Sequence, residues 1–413
     1  MTPPRVRIVS IGDELLLGKT LDTNSHFLLG LSAGYGLDMA GAEIVGDEQG
    51  QIEAALRRAC DAAELVLVTG GLGPTEDDRT RHALAAVLGV DLQHDAAAWQ
   101  LIQEYYHRHI SRTHISESNR RQCLLPTGTE PLINDRGTAP GILARCGACV
   151  IACLPGVPHE MRAMAERVCA RLPDLLPRYS APYVDERHVA GIGESNVQEL
   201  LGGLLASADS LTIGITAQDD GHLCIRALGA EAQVRERLQA VTAVLGEHLL
   251  PDGCSGVAEA VVQRCQQRGW RITTAESCSC GNVLAMLGAV PGVSAILHQG
   301  WVTYHNDAKV AILGVDPGLI EDHGVVSEPV VRAMAEGARR ASGAEIAIAT
   351  SGIAGPAGGS EAKPVGLVHY AVATPDGTHA RHRVWPGTRT RIQSRSAHAA
   401  LLLAWECLRA IPH

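Results

Sequence analysis

Aromatic residues are scarce in this chain: Phe, Trp and Tyr together make up 3%, and Phe27 is the single phenylalanine. Cores built with so few rings must be filled by Ala, Val, Leu and Ile, which suits layered α/β packing. Runs of Lys or Arg are also missing, and the formal net charge is −10. Neutralising duplex phosphates requires a basic footprint, so direct binding to nucleic acid is not expected. No segment is apolar for long enough to span a bilayer, and the first residues lack the charged and apolar stretches of a signal peptide. These absences point to a cytoplasmic protein that works away from membranes.

What is present is ordinary globular material, 46% hydrophobic and 19% charged, which argues against disorder. A length of 413 residues exceeds one hydrophobic core, so two or three domains are expected. The twelve cysteines are scattered and read as reduced and mostly buried. Cys146 and Cys149 have metal-ligand spacing, but Gly147-Ala148 between apolar stretches reads as a hairpin, and no second pair completes a zinc set. His107, His109 and His114 read as a solvated helix face for the same reason.

Three textures follow one another. Residues 1–171 alternate apolar strands, such as 6–11 and 64–69, with amphipathic helices, as in βαβ units on a parallel sheet. Residues 172–252 form a small α+β stretch, with strands near 187–192, 211–215 and 223–227 and helices near 195–205 and 232–249. No catalytic constellation is evident there. After a Gly-rich linker at 251–256, residues 253–413 return to βα texture. Helices are expected at 257–268 and 391–408, and strands at 270–274, 300–304, 345–350 and 366–372.

In the last stretch, Thr274-Ala275-Glu276-Ser277-Cys278-Ser279-Cys280-Gly281 lies where a strand hands over to a helix. Hydroxyls there meet the unsatisfied N–H groups of a first helical turn, although a serine at such a place is most often an N-cap. Two further strand ends carry Tyr304-His305-Asn306-Asp307-Ala308-Lys309 and Thr350-Ser351-Gly352-Ile353-Ala354-Gly355-Pro356. The ends of parallel strands converge on one crevice, and glycines allow close backbone approach to a ligand. Together with Gly324-Val325-Val326-Ser327-Glu328-Pro329 and Lys363-Pro364-Val365-Gly366, these elements resemble the C-terminal domain of the CinA family, a nicotinamide-nucleotide amidohydrolase.

The resemblance implies that nicotinamide mononucleotide is hydrolysed to nicotinate mononucleotide and ammonia, in pyridine nucleotide recycling and without a cofactor. It makes Ser277 the nucleophile, with Tyr304 and Lys309 activating it, and Ser279, Thr350, Ser351, Gly352, Gly355 and Arg389 binding substrate. A serine hydroxyl needs a base, and a lysine serves when burial lowers its pKa. The oxyanion would be met by N–H groups opening the following helix. The family reads Ser-Cys-Thr-Gly-Gly where this chain has Ser277-Cys278-Ser279-Cys280-Gly281, so Cys280 would bring a side chain into the first turn of that helix.

The first stretch carries Asp13-Glu14, Asp22-Thr23-Asn24-Ser25 and Thr69-Gly70-Gly71-Leu72-Gly73-Pro74-Thr75-Glu76-Asp77-Asp78-Arg79-Thr80. Loops with Asn134 and with Gly156 and Glu160 follow. Glycine-rich loops after strands can cradle phosphate, and Asp77 and Asp78 could hold a magnesium-like divalent cation. Ordinary turns and helix N-terminal charge explain such residues equally well one by one. As a set, they resemble the molybdopterin-binding fold of the MoaB/MogA type found in CinA proteins. The resemblance implies a three-layer α/β domain with metal-dependent ADP-ribose pyrophosphatase activity. The site would comprise Glu14, Asn24, Gly70, Gly71, Gly73, Asp77, Asp78, Thr80, Asn134, Gly156 and Glu160, in a homodimeric protein. Two readings compete with this dual enzyme: a molybdopterin-like binding module with a degenerate amidase domain, and a competence-associated partner protein.

Overall fold

The computed structural model describes residues 3–109, 115–208, 211–218 and 221–411, so His114 and the side chain of His109 fall outside the described residues; His107 is exposed. Contacts group the chain into two compact units, Met1–Pro182 and Tyr183–His413.

In the first unit, β1 (Arg5–Ile11), β2 (Asp38–Val45) and β3 (Leu65–Thr69) precede a small ladder of β4 (Leu92–His94) and β5 (Leu124–Pro126). Then come β6 (Glu130–Leu132), β7 (Gly141–Cys146) and β8 (Cys149–Leu154). The main sheet runs β2-β1-β3-β8-β7-β6. It is parallel from β2 to β8 and antiparallel from β8 to β6, so the purely parallel sheet expected from texture is only half right. Cys146 and Cys149 pair across the β7–β8 turn, as a hairpin requires.

Every residue of β3 and β8 is buried, because both faces of the sheet are covered. On one face Val9, Val66, Val68 and Ile151 meet Ile52, Leu56 and Leu84 of helices Gln49–Ala62 and Thr80–Leu88. On the other, Ile8, Leu67 and Val150 meet Leu28, Met161 and Val168 of helices Thr23–Gly34 and Pro158–Ala170. The result is three layers.

The second unit holds two sheets. The smaller is antiparallel, in the order β10 (Leu211–Ala217), β11 (Leu223–Gly229), β9 (Tyr183–Val189). Its inner face packs Val189, Ile213, Ile225 and Ala227 against Val234, Leu238 and Val241 of helix Glu231–Leu245. The larger sheet runs β13 (Trp301–Val302), β12 (Ile272–Glu276), β14 (Ile346–Gly352), β15 (Leu367–Thr374), β16 (Gly377–Val384). Strands β13, β12 and β14 are parallel, and β15 and β16 are antiparallel to their neighbours.

The two faces of the larger sheet differ in side-chain size. Ile272, Ile346, Ile348 and Val372 pack against helices Val257–Arg268 and Arg389–Ala410. The opposite face presents Ala275, Ala347, Ala349, Ala371 and Ala373 to helix Glu328–Ser342. That alanine stripe lets the helix sit close, which is how a chain poor in aromatics fills its layers. Strand β13 stops at Val302, two residues before the expected end, and the segment beyond it turns away to start helix Asn306–Leu313.

Leu67 is fully buried in the middle strand of the first sheet. Leu67→Ala should destabilise the first unit by about 2–5 kcal/mol, measured as a lower thermal unfolding midpoint.

Candidate functional site

In the second unit the site is assembled at the carboxyl ends of β12, β13 and β14. Glu276 closes β12 and is completely buried. Its carboxylate accepts the N–H of Gly281 at 2.9 Å, Val283 at 3.1 Å and Leu284 at 2.8 Å, and the Ser279 hydroxyl at 2.6 Å. This one side chain takes over the N–H groups that open helix Asn282–Gly288. Neither Ser277 nor Ser279 caps that helix, whose cap residue is Gly281 with no side-chain bond. The first-turn N–H groups expected to face an oxyanion are therefore already taken. The N–H groups of Cys278 and Ser279 have neither a backbone nor a Glu276 acceptor among the described residues, and both face the Cys278 sulfur, a weak acceptor.

Ser277 follows at 8% exposure, its N–H held by the Thr350 carbonyl at 3.1 Å. Ser279 and Thr350 are fully buried, and their hydroxyls bond to each other at 2.7 Å. Both stand behind Ser277 as supports, where the sequence suggested substrate contacts. Ser351 is likewise buried, donating to the Val325 carbonyl at 2.8 Å.

Lys309 is fully buried. Its Nζ donates to the Thr303 carbonyl at 2.8 Å and the Tyr304 carbonyl at 3.0 Å, and no carboxylate pairs with it among the described residues. Burial pushes its amine down to about 8. The Thr303 N–H in turn reaches the Glu276 carbonyl at 2.8 Å, tying the lysine's support to the end of β12. Burial pushes the neighbouring Cys278 thiol up to about 12, so it stays protonated.

Tyr304 is exposed, and its hydroxyl accepts from Arg389 Nη2 at 2.5 Å. Arg389 Nη1 donates to the Gly355 carbonyl at 2.7 Å. Tyr304 and Arg389 thus meet at an exposed edge, with Arg389 reaching down to the buried Gly355, and Ser277 and Lys309 are buried. Gly352 and Gly355 have a reason to be glycine within the protein: a Cβ at Gly352 would lie 2.7 Å from the Leu367 carbonyl, and one at Gly355 2.5 Å from Val365. The close approach is between parts of the chain.

Cys280 is the one non-glycine residue with positive φ among the described residues, at 56°. It is exposed and precedes the helix, so its side chain does not enter the first turn as expected. Glycine at this position would be conformationally free; cysteine is strained. Two residues of this second-unit site escaped the sequence reading. Glu276 lay inside a quoted motif but was given no role, and Gln393, whose amide donates to the Cys278 carbonyl at 2.9 Å, comes from a distant helix that leaves no local signal.

The first unit contains a cavity of about 380 Å³. It is lined by Glu14, Gly70, Gly71, Gly73, Asp77, Asp78, Gly156 and Glu160 of the expected set, together with Asp47. The remaining three stand in the wall behind. Asn24 bonds Thr69 and the Gly156 carbonyl, Thr80 bonds the Gly70 carbonyl, and Asn134 bonds Glu160 at 2.6 Å. Asp78 accepts the Gly73 N–H at 2.7 Å and the Thr75 N–H at 2.8 Å, one on each oxygen, and the Thr75 hydroxyl as well. It holds the glycine-rich loop in shape. Asp47 has its pKa raised by burial and further by Asp13, Glu14 and Asp77. That crowding of carboxylates fits a divalent cation better than Asp78 does.

The folds and the two sites define a two-part α/β protein that pairs a molybdopterin-binding type of domain with a second, distinct domain. Residues 7–175 match the family described as a probable molybdopterin binding domain, and residues 255–408 match the CinA C-terminal domain. A CinA-like protein of Anaeromyxobacter dehalogenans is 38% identical over 98% of this chain and 100% of its own length. A putative competence-damage inducible protein of Symbiobacterium thermophilum is 37% identical over 96% of this chain and 97% of its own. The chain belongs to the CinA family. The solved structure of CinA from Thermoplasma acidophilum is 30% identical, covering 42% of this chain and 99% of that one, with a TM-score of 0.39.

Glu276→Ala would strand three backbone donors beside the turn from Ser277 to Gly281 and should cost about 3 kcal/mol or more, seen as a lower unfolding midpoint. Cys280→Gly should do the opposite, adding about 1 kcal/mol by relieving the positive φ, with Cys280→Ala giving no gain in the same assay.

Proposed function

We propose that the second unit is an amidohydrolase acting on nicotinamide mononucleotide, with Ser277 as nucleophile and Lys309 as its base. The observation that carries the reading is Lys309: fully buried, without a counter-ion among the described residues, and lowered by burial to about 8. A lysine at that value is a usable proton acceptor near neutral pH. The Ser277 hydroxyl attacks the carboxamide carbon and its proton passes to Lys309. The tetrahedral oxyanion is met by the N–H groups of Cys278 and Ser279. On collapse the C–N bond breaks, the proton leaves with ammonia, and water then hydrolyses the acyl-serine to the carboxylate. Arg389 has donors beyond those given to Gly355 and Tyr304, and its planar fork suits the nucleotide's phosphate. Tyr304 positions that arginine through its hydroxyl and Lys309 through its carbonyl.

A second reading concerns the first unit. The acid-lined cavity favours metal-dependent cleavage of a pyrophosphate such as that of ADP-ribose. Glu14, Asp47 and Asp77 would hold the divalent cation, which would neutralise phosphate charge, while the Gly70–Gly73 loop would approach the phosphates closely. A molybdopterin-like ligand would use the same loop without turnover.

Ammonia release from nicotinamide mononucleotide is the test of the first reading. The parent should release it, and Ser277→Ala should lose at least about 1,000-fold while unfolding at the parent's midpoint; a folded parent that releases none overturns the reading. Because the neutral amine is the base, turnover should rise as pH climbs through about 8 and level off above it, and Lys309→Met should abolish that rise. For the cavity, ADP-ribose hydrolysis should require magnesium and fail in Asp77→Asn, whereas binding without hydrolysis would favour the pterin reading.

A further inference from the structure

The small sheet of residues 183–229 was silent in sequence, yet it brings three different metal-ligating side chains together. Residues alternate across β9 and β11, so Val189, Leu223, Ile225 and Ala227 face the core under helix Glu231–Leu245. Glu186 and His188 point to the other face from β9, and Cys224 joins them from β11, directly opposite His188 in the ladder. One donor atom from each of Glu186, His188 and Cys224 lies within 4.8 Å of the other two.

We infer that Glu186, His188 and Cys224 form a site for a zinc-class divalent ion, distinct from both candidate active sites. The donor set is a thiol, an imidazole and a carboxylate, the mixture that borderline ions of this class take and that magnesium and calcium do not. Ligands of a tetrahedral zinc ion stand about 3.5 Å apart, so an ion has only to draw the trio slightly inward. The Glu186 Oε2 to His188 Nε2 separation is already 3.4 Å.

The surroundings fix these donors in place. His188 Nδ1 is 3.0 Å from Nε2 of His222, a buried residue. That contact orients the ring and leaves Nε2 toward Glu186 and Cys224, as ligating histidines are commonly held by a second partner. Arg226 Nε meets the other Glu186 oxygen, Oε1, at 3.3 Å, so Oε2 is the one turned to the trio. Cys224 is 8% exposed, whereas the Glu186 side chain is 36% exposed and that of His188 16%. The trio therefore opens to solvent on one side, where water can complete the tetrahedron. On binding, the Cys224 thiol gives up its proton to solvent, and thiolate plus carboxylate balance the ion's two charges. The ion would cross-link β9 to β11 in a sheet whose own core is small.

Cobalt(II) is the probe, because a thiolate–cobalt bond gives an intense charge-transfer band in the near ultraviolet that the acidic cavity, which lacks cysteine, cannot give. Full-length protein should develop the band at one equivalent, and zinc should displace it. Cys224→Ser should abolish it, and His188→Gln, which keeps the thiol, should weaken cobalt binding at least about 10-fold. Zinc should raise the unfolding midpoint of the parent and of neither variant, with circular dichroism confirming that the variants fold. His222→Ala, which spares all three ligands, should weaken binding about 10–100-fold. A parent without the band, or a band that survives in Cys224→Ser, overturns the site.

Discussion

The buried carboxylate of Glu276 is the interaction on which the second unit's site depends. A polar group with no access to water persists only where hydrogen bonds replace hydration, and here four donors do so. The demand runs both ways. The carboxylate needs those donors, and the start of helix Asn282–Gly288 needs an acceptor. The turn from Ser277 to Gly281 is consequently wrapped around one side chain, with Ser279 and Thr350 bracing it. Lys309 hangs from the same frame, since Thr303 touches both Glu276 and the lysine. A small shift of Glu276 would therefore move Ser277 and Lys309 together.

The two units reach similar solutions by different means. In both, a parallel half-sheet ends in loops that form the candidate site, and in the first unit the loop between the antiparallel strands β6 and β7 adds Thr138 and Ala139 to its lining. In the first unit an acidic side chain again organises the loop: Asp78 gathers the backbone of the glycine-rich turn much as Glu276 gathers the helix start. In each case an acid of the motif shapes the backbone around it.

Much of this was legible in the sequence. Alternating apolar strands and helices pointed to βαβ architecture, and the family resemblance pointed to its three layers and to Ser277, Lys309, Tyr304, Arg389 and residues that line the cavity of the first unit. What escaped was anything set by partners distant along the chain. Whether Ser279 faces ligand or core depends on Thr350, 71 residues away, and the commitment of Asp78 depends on how its loop closes. Asp47 and Gln393 lie in stretches whose local pattern is that of ordinary loop and helix. The Glu186, His188 and Cys224 grouping needs the β9–β11 register before its members become neighbours. A spacing rule sees i and i+2, but not a strand almost forty residues further on.

Cys280 has a practical consequence. All twelve cysteines are free, and it alone is classed as exposed. A thiol-selective fluorophore applied to the unmodified chain would therefore settle three residues from Ser277, at a joint whose torsion is under tension. The protein thus comes with its own optical reporter, placed where occupancy of the crevice would alter the dye's surroundings.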